Sequence, residues 1–349
     1  MEYICLAYSK ITDEQINIII NNGAKIKYEA HFNNVYVIEC ENVDKFIDLE
    51  IFKSIKRSRK FSLANNSSVL FTPNVPRDGL RATQSYGWSM KVAIVDSGVR
   101  SEHCVKLNKQ DSKDFTGYGN VIMQDHGTFV AKIINYYAPG AQIVSMKVAH
   151  EGEDILEGTI IEALDYCIEK EVDIINLSLE NGSKQECKGD CTLCDYIDAV
   201  VNETGTVVVT VSGNFGYLEG NTVGCPGRAE KAITVGAVNR ESKLSESSGR
   251  GVPGFLKPNI LAPGHVRILM ENKLENVSGT SFAAPIITGI LTSLIPTYGK
   301  DESITKIYAT CTDLGYSKHE QGFGLLNIHK LLEVFDDEQA VLNSGAGQE

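Results

Sequence analysis

Four side chains in this 349-residue chain have the types and settings that amide chemistry requires. Asp96 directly follows the apolar run 92–95 and precedes Ser97-Gly98, where the chain must turn. His126 stands in Asp125-His126-Gly127-Thr128, at the start of an apolar helical stretch. Ser281 stands in Ser278-Gly279-Thr280-Ser281-Phe282-Ala283-Ala284-Pro285, again opening an apolar helix. Asn214 lies in Val211-Ser212-Gly213-Asn214-Phe215-Gly216, just past another apolar run. A serine hydroxyl is a poor nucleophile, so a base must take its proton during attack. Imidazole does this near neutral pH, and a carboxylate behind it selects the tautomer and stabilises the imidazolium. The tetrahedral intermediate then places negative charge on the former carbonyl oxygen. A serine at a helix start offers a backbone N–H that the helix does not use, together with the positive end of the helix dipole, and the Asn214 amide is a second donor. Singly, each residue has an ordinary reading as a turn, loop or capping residue. The conjunction, in the order Asp, His, Asn, Ser, points to nucleophilic acyl transfer.

These residues need rigid elements to carry them. From residue 91 onward, 92–95, 142–147, 173–179, 207–211 and 232–238 are continuous apolar runs, the pattern of strands buried on both faces. Helical stretches at 127–137, 155–169, 191–203 and 280–294 separate several of them. The alternation predicts an α/β domain with a mostly parallel sheet and helices on both faces. Residues 1–60 read differently, as β-α-β-β-α-β, a small α+β ferredoxin-like unit. In it Thr12-Asp13-Glu14-Gln15 is a capping box and Asn33-Asn34 a hairpin signal between 26–32 and 35–40. Residues 61–72 have no helical period and read as an extended linker, and 336–349 as a disordered tail. The expected division is therefore 1–72, 73–335 and 336–349.

Composition narrows the class of function. Hydrophobic residues make up 42% and charged residues 22%, as in an ordinary globular chain. The net charge of −12 argues against a nucleic-acid partner, which favours a basic stripe. No apolar run approaches the roughly 18–20 residues of a membrane span. The start Met1-Glu2-Tyr3-Ile4-Cys5-Leu6 shows no secretory signal, and nine cysteines, an odd number, suit reduced thiols in the cytoplasm.

Over residues 73–335 the chain resembles the subtilisin-like serine proteases. The order Asp…His…Ser is the established one for subtilisin, and this chain matches that known pattern. The resemblance extends to Asn176-Leu177-Ser178-Leu179, Thr234-Val235-Gly236-Ala237-Val238, the block 257–264 and Gly322-Phe323-Gly324-Leu325-Leu326-Asn327. It implies a serine endopeptidase acting on peptide or protein substrates, with Asp96, His126 and Ser281 as triad and Asn214 in the oxyanion role. It also implies a first specificity pocket lined by Ser178, Leu179, Glu180, Val211, Ser212 and Gly213, and substrate bound as an added strand. No cofactor is implied for the chemistry, and structural calcium is left open. The N-terminal unit resembles the family's propeptide, which implies an intramolecular inhibitor with 61–72 as the tail laid through the cleft and cut there. A dedicated maturation protease for one precursor peptide is a narrower form of this reading. The alternatives are a catalytically silent scaffold of the same fold and a thiol- or metal-dependent regulatory protein.

The chain also departs from the family pattern. His126-Gly127-Thr128 is followed by Phe129 where a second histidine is usual, and Ile286 replaces another after Ala283-Ala284-Pro285. Glu180 replaces a glycine, and its carboxylate could favour a basic substrate residue, narrow the site, or face solvent. Cys187, Cys191 and Cys194 fall at i, i+4 and i+7, one face if helical, and Cys225 lies in Gly224-Cys225-Pro226 near the pocket. Four thiols could hold Zn²⁺ or an iron–sulfur cluster, pair as disulfides, or stay as reduced structural thiols.

Overall fold

A computed structural model describes residues 1–47, 49–63, 85–101, 105–119, 121–182, 187–270 and 273–335. The N-terminal apolar runs become β1 (Glu2–Ala7), α1 (Asp13–Asn21), β2 (Ala24–Glu29), β3 (Val35–Cys40), the single turn α2 (Asp44–Ile47) and β4 (Phe52–Arg57). The capping box forms, with the Thr12 hydroxyl accepting from Gln15 N–H and Gln15 Oε1 accepting from Thr12 N–H. The four strands lie in the antiparallel order β2-β3-β1-β4, the ferredoxin-like arrangement expected of a β-α-β-β-α-β chain. One boundary differs. The strand expected over 26–32 stops at Glu29, because Ala30 N–H bonds the Val35 carbonyl and leaves 31–34 as the connection. Asn33 and Asn34 take the positive φ values, 61° and 50°, that this turn needs.

The remainder of the described chain comprises β5 (Lys60–Leu63), β6 (Lys91–Asp96), β7 (Lys113–Asp114), α3 (His126–Tyr137), β8 (Gln142–Lys147), β9 (Ile155–Leu156), α4 (Glu157–Glu169), β10 (Ile174–Leu177), β11 (Leu179–Glu180), α5 (Thr192–Thr204), β12 (Val207–Val211), β13 (Ile233–Val238), β14 (Ile260–Pro263), β15 (His265–Met270), β16 (Lys273–Ser278), α6 (Thr280–Tyr298), α7 (Lys300–Ala309) and α8 (Lys318–Gln321). Seven strands form one parallel sheet in the order β14-β13-β12-β10-β6-β8-β7. One face packs on α3 and α6, where Val92, Ile94 and Val209 meet Val130, Ile134, Phe282 and Ile290. The opposite face packs on α4 and α5, where Ala93, Val95 and Val208 meet Ile160, Leu164, Leu193 and Ile197. Burial on both faces is why these strands read as unbroken apolar runs.

Two expectations change. The 19-residue helix α6 is long and apolar enough to cross a membrane by length and composition, contrary to the sequence reading, but 83% of its apolar window is buried inside the protein. It is the central core helix. Residues 61–63 are not linker but the end of β5, which pairs antiparallel with β9 on one side and β11 on the other. Linker residues 64–72 and the tail 336–349 lie outside the described residues.

The N-terminal sheet sits on α4 and α5, placing Ile4, Val35 and Val37 in the same apolar cluster as Ile160 and Ile197. At the centre of this junction the buried Asp165 carboxylate accepts from the hydroxyls of Tyr28 and Tyr196 and, at 2.9 Å, from His31 N–H. Burial raises its carboxyl above the ordinary range, and the donors from Tyr28 and His31 oppose that. Asp165→Ala strands these donors, and should lower the unfolding free energy by about 3 kcal/mol or more while exposing the N-terminal unit to added protease. Calorimetry and limited digestion check this. An unchanged melting temperature and digestion pattern would remove Asp165 from the docking contact.

Candidate active site

Three adjacent strands end level with one another. Val95, Leu177 and Thr210 are in register across β6, β10 and β12, so Asp96, Ser178 and Val211 follow at one edge of the sheet. Asp96 is fully buried, and His126, at the first position of α3, donates from Nδ1 to its oxygens at 2.8 and 2.9 Å. A carboxylate only accepts, so Nδ1 carries the proton and Nε2 presents its lone pair. Ser97 N–H supports Asp96 Oδ1 at 2.7 Å. The residue after the histidine must be small, because a Cβ on Gly127 would meet Gly98 O at 2.4 Å and Asp96 Oδ1 at 3.1 Å.

Ser281 is the second residue of α6 and is fully buried. Its hydroxyl donates to Ser178 O at 3.4 Å, and Ser178 Oγ donates back to Ser281 O at 3.1 Å. This return bond has a cause. Pro285 has no N–H to give the carbonyl four residues earlier, and Ser178 supplies the missing donor. Ser178 Oγ is itself held by Asn176 Nδ2 at 2.8 Å, and Asn176 Oδ1 by Thr288 Oγ1 at 2.8 Å. The His126 ring stacks obliquely on Phe282, the neighbour of Ser281, with centroids 5.3 Å apart. Nε2 of His126 is buried with no hydrogen-bond partner among the described residues, so the hydroxyl–imidazole bond of an active triad is not made.

Asn214 stands beside the same helix start, its Oδ1 accepting from Thr280 N–H at 3.1 Å and from Thr280 Oγ1 at 3.3 Å. Its other partner is Glu180. Both Glu180 oxygens accept from Asn214 N–H, at 3.1 and 3.0 Å, and Oε1 accepts from Asn214 Nδ2 at 3.4 Å. Glu180 is therefore not a solvent-facing residue, being only 3% exposed. Its carboxylate fills the gap between the two expected pocket walls, 178–180 and 211–213. Gly213, with φ 94°, has its Cβ position 2.2 Å from Glu180 Oε2, so no larger residue fits there. Burial pushes the Glu180 carboxyl up to about 7, against the Asn214 bonds that hold it down.

Along this edge lies β5, with Leu63 opposite Leu179 and Ser62 opposite Glu180 on one side, and Phe61 opposite Ile155 and Lys60 opposite Leu156 on the other. The N-terminal segment is thus an added strand between β11 and β9. Arg59, just before it, forms a two-pronged ion pair with Glu157 at 2.9 and 2.7 Å. Sequence reasoning missed this rim because it set 155–169 in one helix. Ile155 and Leu156 are instead extended, and α4 begins at Glu157.

Residues 87–324 match the subtilase family. The chain belongs to that family. It is 30% identical to subtilisin E of Bacillus subtilis (strain 168) over 268 residues, covering 70% of this chain and 66% of that protein. It is 27% identical to the membrane-bound transcription factor site-1 protease of Homo sapiens over 279 residues, which is 72% of this chain and 26% of the relative. Two solved structures share the fold. The epidermin leader peptide processing serine protease from Staphylococcus aureus, as a serine-to-alanine mutant, matches with a TM-score of 0.73 at 18% identity, covering 96% of this chain and 99% of that one. The prenylagaramide maturation protease PagA matches with a TM-score of 0.60 at 23% identity, covering 73% and 97%.

Subtilases need no cofactor for peptide hydrolysis. This subtilase carries in addition the four thiols noted in its sequence. Cys187, Cys191, Cys194 and Cys225 are buried with their sulfurs all within 4.8 Å of one another. They do not share a helix face, since α5 begins at Thr192 with Cys191 as its N-cap and Cys187 in the preceding loop.

Glu180 gives this subtilase a pH-dependent stability with a definite sign. Below about pH 4.5 the carboxyl is protonated folded and unfolded, and contributes no difference. Between there and about pH 7 only the folded state keeps the proton, so stability falls as pH rises, and above pH 7 the full cost is present. At about 1.4 kcal/mol per pH unit the cost is about 3 kcal/mol. In a Ser281→Ala background, Glu180→Gln should raise the melting temperature at pH 8 and leave it unchanged near pH 4.5. A melting temperature that drops equally at both pH values would contradict this account.

Proposed function

We propose that this subtilase is a serine endopeptidase working through an acyl-enzyme on Ser281. His126 is the general base and then the acid, and Asp96 orients it. Ser281 N–H and Asn214 Nδ2 receive the oxyanion. The observation that carries the proposal is the buried Asp96–His126 pair beside the start of α6, in a chain of this family. For attack, the Ser281 hydroxyl exchanges its bond to Ser178 O for one to His126 Nε2, which has an unused lone pair. Asn214 Nδ2 carries two protons and Glu180 takes one, which leaves the other for the oxyanion.

The N-terminal unit acts as an intramolecular inhibitor, since β5 fills the strand-pairing edges a substrate would use. A substrate in the register of β5 presents the residue after Leu63 to Ser178, next to Ser281. In this sequence that residue is Ala64. A small residue suits a pocket already filled by Glu180, so the narrowed-site reading is favoured over the basic-residue reading. We place self-cleavage just beyond Ala64. The final substrate is a precursor peptide, a reading supported by the two processing proteases that share the fold. The cytoplasm is its proposed location, a reading supported by described cysteines that form no disulfide with one another.

Intact-mass analysis of wild type beside Ser281→Ala tests activity and processing together. Wild type should show a break after residue 64, and the variant should stay whole with an unchanged melting temperature. Peptide turnover by wild type should favour alanine over arginine or phenylalanine before the scissile bond. Asn214→Ala should lower kcat by about 10²–10³, the magnitude known from subtilisin itself. Normal turnover by the Ser281→Ala protein would end the proposal.

A further inference from the structure

We infer that Cys187, Cys191, Cys194 and Cys225 bind a single Zn²⁺ ion as a tetrathiolate site behind the specificity pocket. The spacing of the sulfurs selects the ion's nuclearity. Cys187 and Cys194 are 3.6 Å apart, Cys191 and Cys225 3.4 Å, and Cys194 and Cys225 3.6 Å, and no pair exceeds 4.8 Å. Four thiolates at about 2.3 Å from one tetrahedral zinc lie about 3.8 Å from each other. A disulfide would bring two sulfurs to about 2.05 Å. A four-iron cluster puts each thiolate on a separate iron and needs them farther apart. The set therefore fits one small thiophilic ion, and zinc is the ion for which four cysteines form a closed, redox-silent site.

A second observation concerns charge. Donors surround the sulfurs as they would surround anions. Gly189 N–H points at Cys187 Sγ at 3.2 Å, and Cys194 N–H at Cys191 Sγ at 3.5 Å. The Arg59 guanidinium lies 3.0 Å from Cys191 Sγ and 3.6 Å from Cys225 Sγ. When Zn²⁺ displaces four thiol protons the site carries a net charge of −2. Arg59 and the N-terminus of α5, capped by Cys191, offset that charge in a buried place.

The site ties together segments that otherwise have no covalent link. Cys225 O accepts from Asn181 N–H at 2.8 Å, and Gly224 N–H donates to Ser212 O at 2.9 Å, so the ion braces both pocket walls from behind. Through Arg59 it also touches the segment entering the cleft. The ion takes no part in hydrolysis.

The full-length Ser281→Ala protein, expressed in medium containing both zinc and iron and purified with reductant and without chelator, tests this by elemental analysis. One zinc per chain is expected, with iron and acid-labile sulfide below a tenth of that. Cobalt(II) in place of zinc should give the intense sulfur-to-cobalt charge-transfer bands of a tetrahedral thiolate site. Mercurial titration of the folded protein should release the zinc as about four thiols react. Cys194→Ser should lose the metal, whereas Cys167→Ser, a buried cysteine outside the set, should keep it. If Cys194→Ser does not fold, the cobalt spectrum and the titration of the parent still decide. Iron with sulfide, a metal content under a tenth per chain after zinc addition, or cobalt bands without thiolate character would overturn the assignment. None of these readouts depends on peptide hydrolysis.

Discussion

The level ends of β6, β10 and β12 are the constraint from which the site follows. In a parallel sheet neighbouring strands run the same way, so residues in register leave the sheet together at the carboxyl edge. Val95, Leu177 and Thr210 share one row. Asp96 is thus delivered to His126, Ser178 to both polar groups of Ser281, and the turn after Val211 carries Asn214 to the first turn of α6. A slip of one residue in any strand would turn its last side chain to the other face and dissolve the cluster.

The cleft is shaped by the same edge. Strand ends and short extended segments leave backbone donors and acceptors that must be paired, and here β5 pairs them from both sides. Side chains add to the pairing, with Phe61 of β5 buried and Arg59, just before the strand, joining Glu157 in a largely dry ion pair. A strand in this place satisfies the exposed backbone groups of β9 and β11.

Buried acids recur at each junction, and each is met by donors: Asp96 by His126 and Ser97, Glu157 by Arg59, Asp165 by two tyrosines and His31, Glu180 by Asn214. Asp165 and Glu180 are alike in being held by neutral donors among the described residues, and burial raises both carboxyls, whereas Glu157 is paired with the Arg59 guanidinium.

Much of this was legible before any coordinates. Period and capping signals located the buried strands, α1 with its Thr12 cap, α3 and the start of α6, because local propensity and burial on two faces leave marks along the chain. Chemistry-bearing residues at strand ends and helix starts named Asp96, His126, Asn214 and Ser281. What the sequence could not contain is anything set by approach between distant segments. The strand at Lys60–Leu63 has no internal pattern, since its partners lie about a hundred residues away in β9 and β11. Glu180 reads equally well as a surface or pocket residue until Gly213 and Asn214 close around it. All four clustered cysteines were grouped from the sequence, but how close their sulfurs come depends on where the loop before β13 meets the N-terminus of α5. The sequence by itself determined the elements and the kind of chemistry, because those follow from residue type and local spacing. The tertiary structure decided which side chains meet, because contact between remote segments depends on register and packing.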